Sequence, residues 1–466
     1  MKLTQSTCLA CFGLSIMAIA NPAFCQAPDI GSFKNFDDYL SALNKSTDPE
    51  AATTRAEIAG GPADLAQQKD NCNKRHIPLS YVKPVVPDGQ DAYPVYLKWN
   101  EARTGQNVVF PDFADSLTLK HSYTSDQLAQ VQKLIDNNPK VFDLLHQAAG
   151  MPYFLPDPND TSNRTAIREA AREIRTQSYL LASKGSFSDA IAMQSLGLNE
   201  AKQASQRKTI ISYLVAAAVE RISMQGLQDI MSMAGPDQKT DAQVRDAVNK
   251  YLPGTSLKEC LTGEISWSIN DFEGMRNGSM YDIRATVDPS LNTPTPQPTQ
   301  AVVVSPDEHR FVGNFCDELE ARYIEREAVL ADAAGAAPEQ RRAIFAGLQA
   351  QASQPSRDPV VAISNAFSLD YEKISQRMDA MTAVEQVTLA AAQILSTKAQ
   401  TGLYPVSLPA GFTDPFTGKA LGYTSSATGF VVYSVGTTGK YDGTVDNDAE
   451  VFYRYPPTAP TPIPKN

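Results

Sequence analysis

Residues 165–183 read TAIREAAREIRTQSYLLAS, and this stretch sets the class of the fold. Within it Ile167, Ala170, Ala171, Ile174, Ser178 and Leu181 recur at steps of three and four. That spacing gathers small and apolar side chains on one face of an α-helix and turns most of the arginines and glutamates away from it. The rhythm continues on both sides. Upstream, Thr124 with Gln127 forms a capping-box pattern ahead of Leu128, Val131, Leu134 and Ile135. Asn138-Pro139 interrupts that run, a second short helix follows, and Gly150 with Pro152 stops it. Downstream, helices are predicted near 188–203, 206–232 and 240–251, and Leu261, Ile265, Ser268, Phe272 and Met275 mark another. A mainly α domain of packed helix pairs is therefore expected over 121–288.

One corner between these helices carries a motif. Gly185-x-Phe187-x-x-Ala190 resembles the signature inside a tetratricopeptide hairpin. There the glycine permits a tight corner and the alanine lets the paired helices close up. The likeness covers one hairpin and implies stacking that is tetratricopeptide-like in part.

The flanking regions read differently. In 26–120, Phe33, Phe36, Leu40 and Leu43 have helical spacing, but Pro78, Pro84, Pro87, Pro94 and Pro111 then interrupt short apolar runs. An irregular N-terminal region with a few short strands is the expectation. Residues 289–306, PSLNTPTPQPTQAVVVSP, have too little apolar surface to order themselves and read as a loop or linker. A helix restarts at Ser305-Pro306-Asp307-Glu308, with Phe311, Phe315, Leu319 and Tyr323 as its buried face, giving a helical continuation over 307–369. The proline-rich tail 456–466 is expected to be disordered.

Residues 370–455 change character again. Ile374, Met378, Met381, Val384, Val387, Ala391 and Leu395 define a long helix. After it come Gly402-Leu403-Tyr404-Pro405, Asp414-Pro415-Phe416-Thr417-Gly418-Lys419, and strands near 421–423, 429–436 and 451–455. A helix followed by a small antiparallel sheet makes an α+β module. This run of motifs resembles the soluble module of the major pseudopilin of type II secretion systems. A pseudopilin, however, begins with a prepilin leader and a long apolar helix, whereas here the module stands at the far end of the chain. The upstream helices, with Leu261-x-Gly263-Glu264, are similar to uncharacterised exported helical bacterial proteins, a likeness that supplies no activity. The pseudopilin resemblance implies calcium. In that module a loop at the position of Asp442, Asp446 and Asp448 holds the ion through carboxylates and carbonyls, the oxygen-rich set a hard cation needs. The competing reading is a solvated Asp-Gly turn.

The N-terminus carries an address. Lys2 is the only charge before Asp29, Leu9 to Ala20 is apolar, and Asn21-Pro22-Ala23 brings small residues and a proline. That order matches a secretory signal peptide over 1–25, too short in its apolar part to span a bilayer, which takes ~20 residues. Cleavage after Ala20, Ala23 or Cys25 is open, with Cys25 preferred; lipoprotein processing fits less well. The run Ile210 to Val219 is interrupted by Ser212 and Tyr213 and reads as a core helix, so no membrane span is expected after cleavage. The net charge of −11 becomes −12 without Lys2, which repels phosphate backbones and argues against a nucleic-acid partner.

Candidate chemistry is sparse. Once Cys8 and Cys11 leave with the signal, no C-x-x-C pair remains to suggest zinc. A Cys260–Cys316 disulfide would close the proline-rich loop, with Cys72 the alternative partner of either. His76, His121, His146 and His309 share no metal-ligand spacing, and neither H-E-x-x-H nor G-x-S-x-G occurs. Glu264, near Trp267, reads as a structural ion pair with an arginine of a neighbouring helix ahead of an acid or base. Tyr153 and Phe154, before Leu155-Pro156, either line a ligand groove or anchor a loop into the core. The expected function is an exported noncatalytic binding or scaffolding protein of the cell envelope, periplasmic, with a protein partner and a link to secretion machinery. The alternative is an envelope hydrolase with dispersed catalytic residues. N-terminal sequencing of envelope-localised protein is expected to begin between residues 21 and 26, and full-length protein retained in the cytoplasm would overturn export.

Overall fold

Helices α1 (Pro49–Lys74), α2 (Tyr93–Gly105), α3 (Ser125–Asn137), α4 (Pro139–Gly150) and α5 (Asn163–Ser183) open the described chain. They are followed by α6 (Phe187–Ser205), α7 (Ile210–Ala234), α8 (Gln238–Tyr251) and α9 (Leu257–Arg276). Next come α10 (Pro306–Ala333), α11 (Pro338–Ala352), α12 (Pro359–Ala366) and α13 (Tyr371–Thr401). Strands β1 (Gly422–Ser425), β2 (Phe430–Ser434) and β3 (Val451–Tyr455) close it. The computed structural model describes residues 43, 46, 49–80, 82, 85–110, 123–156, 163–252, 254–276, 306–354, 359–366, 368, 370–441 and 451–457. Residues 1–25, expected from the sequence to be a signal peptide, most of the proline-rich stretch, Asp442, Asp446, Asp448 and the tail from 458 lie outside them. The chain divides into two compact units, one drawn from Met1–Lys83, Lys258–Ala336 and Gln340–Lys373, the other from Pro84–Leu257, Ala337–Glu339 and Ile374–Asn466.

In the first unit α1 lies along α10. Gly60-Gly61-Pro62 in its middle looks like a helix breaker, yet the helix runs through it. The reason is a close approach: a Cβ on Gly61 would come within 2.4 Å of the Asn314 carbonyl oxygen. Only glycine lets the two backbones meet there. Around this contact Ile58, Leu65 and Cys72 of α1 are buried, as are Phe315, Cys316, Leu319 and Ile324 of α10. The irregular region expected over 26–120 is thus corrected, since it contains both α1 and α2. Pro94 belongs to the first turn of α2, where a missing N–H costs nothing. Among the described residues of that region, the expected short strands reduce to one bridge between Asp91 and Tyr153. The expected disulfide is also corrected: Cys72, Cys260 and Cys316 are all buried, and none is joined to another in a disulfide. Burial pushes Cys316 up to about 12, and these thiols pack as small apolar side chains.

In the second unit α5 and α6 fold back on each other through Gly185, whose φ of +78° suits glycine. Ala190 is fully buried, and its carbonyl accepts a 2.9 Å bond from Ser178 of α5. Thr124 and Gln127 make the expected capping box at α3, and Thr209 with Ser212 makes a second at α7. By length and composition α7 could cross a membrane. Its residues Met224, Leu227, Ile230 and Met231 are instead shut into the protein core.

The sheet has the order β1-β2-β3, antiparallel throughout, with Thr424 opposite Val431 and Val432 opposite Tyr453. Asp414 explains the Asp-Pro-Phe-Thr-Gly-Lys turn. Its Oδ1 accepts from the Phe416 N–H and the Ser434 hydroxyl, both at 2.9 Å, and its Oδ2 accepts from the Val435 N–H at 2.9 Å. One buried carboxylate thereby pins the turn to the end of β2. The sheet does not have a core to itself. Phe430, Val432 and Tyr453 join Val387, Ala391 and Leu395 of α13 and Met224, Leu227, Ile230 and Val244 of α7 and α8 in a single cluster. A fragment of residues 370–466 would expose this face, so it is expected to give no cooperative melt where the full chain does. A sharp calorimetric transition of the fragment alone would overturn the shared-core argument.

Candidate functional site

The loop Met151–Pro156 joins α4 to α5, and its backbone is tied down at almost every step. Ala92 N–H donates to the Tyr153 carbonyl at 2.7 Å, and Asp91 Oδ1 accepts from Leu155 N–H at 3.1 Å. The Gln206 side chain accepts from Phe154 N–H at 2.8 Å and donates to the Pro152 carbonyl at 2.7 Å. Asn199 donates to the carbonyls of Ala149 and Met151, and Gln203 to those of Ala148 and Met151. Such complete pairing is what allows an irregular segment to sit against a helical core. Phe154 is 4% exposed and meets Tyr93 and Tyr96 edge-on at 6.0 and 5.5 Å. Of the two readings of Tyr153-Phe154, the anchored loop describes Phe154.

The anchored phenylalanine also walls two adjoining clefts. One is lined by Tyr93, Tyr96, Leu97, Asn100, Phe154, Ala166 and Ile167. The other is lined by Phe154, Pro156, Ile167, Ala204, Arg207, Thr209, Ser212 and Val215. The larger offers a cavity of about 30 Å³, the room of one water molecule. Together they form a shallow furrow with an aromatic floor and a polar rim. Its cavity is far below the roughly 300 Å³ or more that an engulfed metabolite takes.

Behind the floor lies a buried polar centre. The Tyr96 hydroxyl donates to Glu200 Oε1 at 2.6 Å and reaches Gln203 Oε1 at 3.2 Å. Burial pushes the Glu200 carboxyl well above its ordinary range, the Tyr96 bond opposes this, and Glu173 adds to it. Glu200 acts there as a structural acceptor for the Tyr96 hydroxyl. Arg103 closes the arrangement with Glu169 at 2.5 Å and Glu173 at 2.9 Å, its guanidinium 5.7 Å from the centre of the Trp99 ring. The floor is rigid because Tyr96 is held at its hydroxyl as well as its ring.

The other sequence candidates lie elsewhere. Glu264 is 2% exposed on α9 and acts electrostatically on the Tyr323 hydroxyl of α10. Next to Tyr323, Arg326 bonds the Ser364 carbonyl at 2.9 Å and the Ser368 hydroxyl at 2.6 Å, while Tyr371 bonds Glu327. Burial pushes Glu327 up to about 7, against the opposing pull of Arg326 and Tyr371. His146 bonds Gln177 at 2.8 Å, and burial lowers its basicity. The proposed calcium ligands Asp442, Asp446 and Asp448 lie outside the described residues, among which no three His, Cys, Asp or Glu side chains converge as a metal site. Sequence reasoning missed Tyr93, Tyr96, Leu97, Glu200 and Arg207. The one local signal was Tyr93-Pro94 opening a helix, and the pairing of Asp91 with Tyr153 has no sequence signature. The chain matches no protein-family model, no curated protein and no solved structure.

Proposed function

We propose that this chain is an exported, noncatalytic binding or scaffolding protein of the cell envelope, and that its second unit seats a protein partner in the furrow around Phe154. The observation that carries this reading is the pair of adjoining shallow clefts built on an immobilised loop. Aromatic walls with a nearby arginine form the kind of surface on which a few side chains carry most of the binding energy, and a rigid floor lowers the ordering cost of association. The hydrolase alternative draws less support. Glu173, Glu200 and Glu327 are 3%, 0% and 0% exposed, so water and substrate do not reach these carboxyls.

The finer readings belong to the same proposal. The α5–α6 hairpin, with Gly185 at its corner and Ala190 at its contact, supports stacking of tetratricopeptide type. The order of α13, the Asp414 turn and the three strands supports a pseudopilin-like ending, and with it a link to secretion machinery and calcium held by Asp442, Asp446 and Asp448. The signal-like N-terminus supports a periplasmic address.

A photo-reactive amino acid at Leu97, which is 44% exposed, is expected to trap one dominant envelope protein in an exporting host. Tyr93→Ala and Arg207→Glu should each weaken that adduct by about tenfold, the effect of losing one central contact. The same probe at Val85 should trap nothing specific. Adducts indifferent to both substitutions would remove the furrow from the proposal. Calcium is checked separately by melting the full chain with calcium and with chelator, beside an Asp446→Ala, Asp448→Ala variant. Calcium at a hundred times its Kd should add about 2.7 kcal/mol to the unaltered chain only. A midpoint that ignores calcium would end the metal reading.

A further inference from the structure

Helix α13 ends in a corner that shows two apolar side chains to solvent. Leu403 is 72% exposed and Val406 is 99% exposed. Tyr404 and Leu408, on the same corner, pack against the core that α13 shares with the sheet. The Tyr404 ring lies 5.5 Å from that of Phe430. The backbone between these anchors is fixed. Gly402, at a φ of +73°, follows the last helical residue, and Lys398 Nζ donates to its carbonyl at 2.5 Å. Leu403 N–H donates to the Thr401 hydroxyl at 3.2 Å. The Pro405 carbonyl accepts from the hydroxyls of Tyr423 at 2.8 Å and Ser425 at 3.2 Å. A single exposed apolar residue is ordinary on a protein surface. Two of them, three positions apart on a pinned turn, make a preformed apolar tip, because no loop has to be ordered before they are covered.

Charge says what covers it. The chain carries a net −11, yet from Lys398 to Ser434 the charged residues are Lys398, Asp414 and Lys419. Asp414 is 1% exposed, and its oxygens accept from Phe416, Ser434 and Val435. The two cations are left for the surface. Lys419 is exposed, and the Lys398 ammonium stands at the corner itself, 4.9 Å from the centre of the Tyr404 ring. The turn that follows Ser425, Ser426-Ala427-Thr428-Gly429, carries no charge. At physiological salt, charges farther apart than about 8 Å are largely screened, so a surface meeting this corner feels its cations more than the acidic remainder of the chain. Apolar side chains beside ammonium groups match an anionic bilayer, where the first enter the acyl boundary and the second meet the phosphates.

We infer that the corner of residues 402–409 docks on an anionic phospholipid surface, with Leu403 and Val406 inserted among the headgroups and Lys398 against lipid phosphate. The hold is peripheral and reversible, since two side chains bury far less apolar surface than a spanning helix. It stands on this corner alone, whatever partner the furrow takes.

The full chain carrying Val406→Trp tests this, with the unaltered chain as the fluorescence blank. On vesicles of phosphatidylglycerol the new indole emission should shift to the blue and be quenched by lipids brominated in their acyl chains. On vesicles of phosphatidylcholine, binding should be weaker by about tenfold or more, the effect of losing the attraction of the two lysines. Sedimentation with phosphatidylglycerol vesicles then compares chains that lack the indole. Leu403→Asp and Val406→Asp should each weaken binding by about tenfold or more, the effect of one apolar side chain kept out of the bilayer. Val85→Asp, at a valine 94% exposed in another part of the chain, should change nothing. An indole that ignores phosphatidylglycerol would overturn the inference, as would equal sedimentation of the unaltered and Leu403→Asp chains. Equal binding to the two lipids would overturn the charge match. An indole silent on both vesicles but shifted as the chain is concentrated would assign the corner to a second copy instead.

Discussion

The second unit is organised around one constraint, the need of α7 to keep its C-terminal half out of water. Met224, Leu227, Ile230 and Met231 have no exposure at all. Each such side chain is worth roughly 1.5–3 kcal/mol when fully buried, so a helix this apolar is stable only when wrapped. The wrapping comes from α6 and α8 and, from the far end of the chain, α13 and the strands it introduces. The sheet is three short strands whose apolar face packs into the same core. This dependence explains why Ser232 of α7 lies 3.1 Å from the Tyr453 hydroxyl of β3, across more than two hundred residues of sequence.

A second economy concerns polar groups. The irregular loop at Tyr153 survives beside a helical core because Asp91, Asn199, Gln203 and Gln206 answer its backbone groups. The first unit works the same way with charges. Glu320 has no exposure, yet Lys69 of α1 lies 3.0 Å away and Arg276 of α9 bonds it as well. A carboxylate so placed would be costly without those partners, and with them it ties three helices together. Residues held this tightly are positioned rather than reactive, which is why the shallow furrow and not the buried acids supports the functional reading.

The sequence by itself determined the helices from α3 to α10 and the long helix α13. Their apolar faces recur at three and four residues, and local signals such as Thr124 with Gln127 mark their ends. It also determined that three strands follow α13 as a small antiparallel sheet, since their apolar runs are local in sequence. Only the tertiary structure decided what Gly60-Gly61-Pro62 would do, because helix α10 offers the one surface against which a side-chain-free turn is an advantage. It likewise decided that Cys72, Cys260 and Cys316 pack as thiols, and that Tyr93 and Phe154 share a furrow. Periodicity reports which face of a helix avoids water, because that property belongs to the helix. Which residue stands opposite depends on how distant helices dock, and no spacing along the chain encodes it.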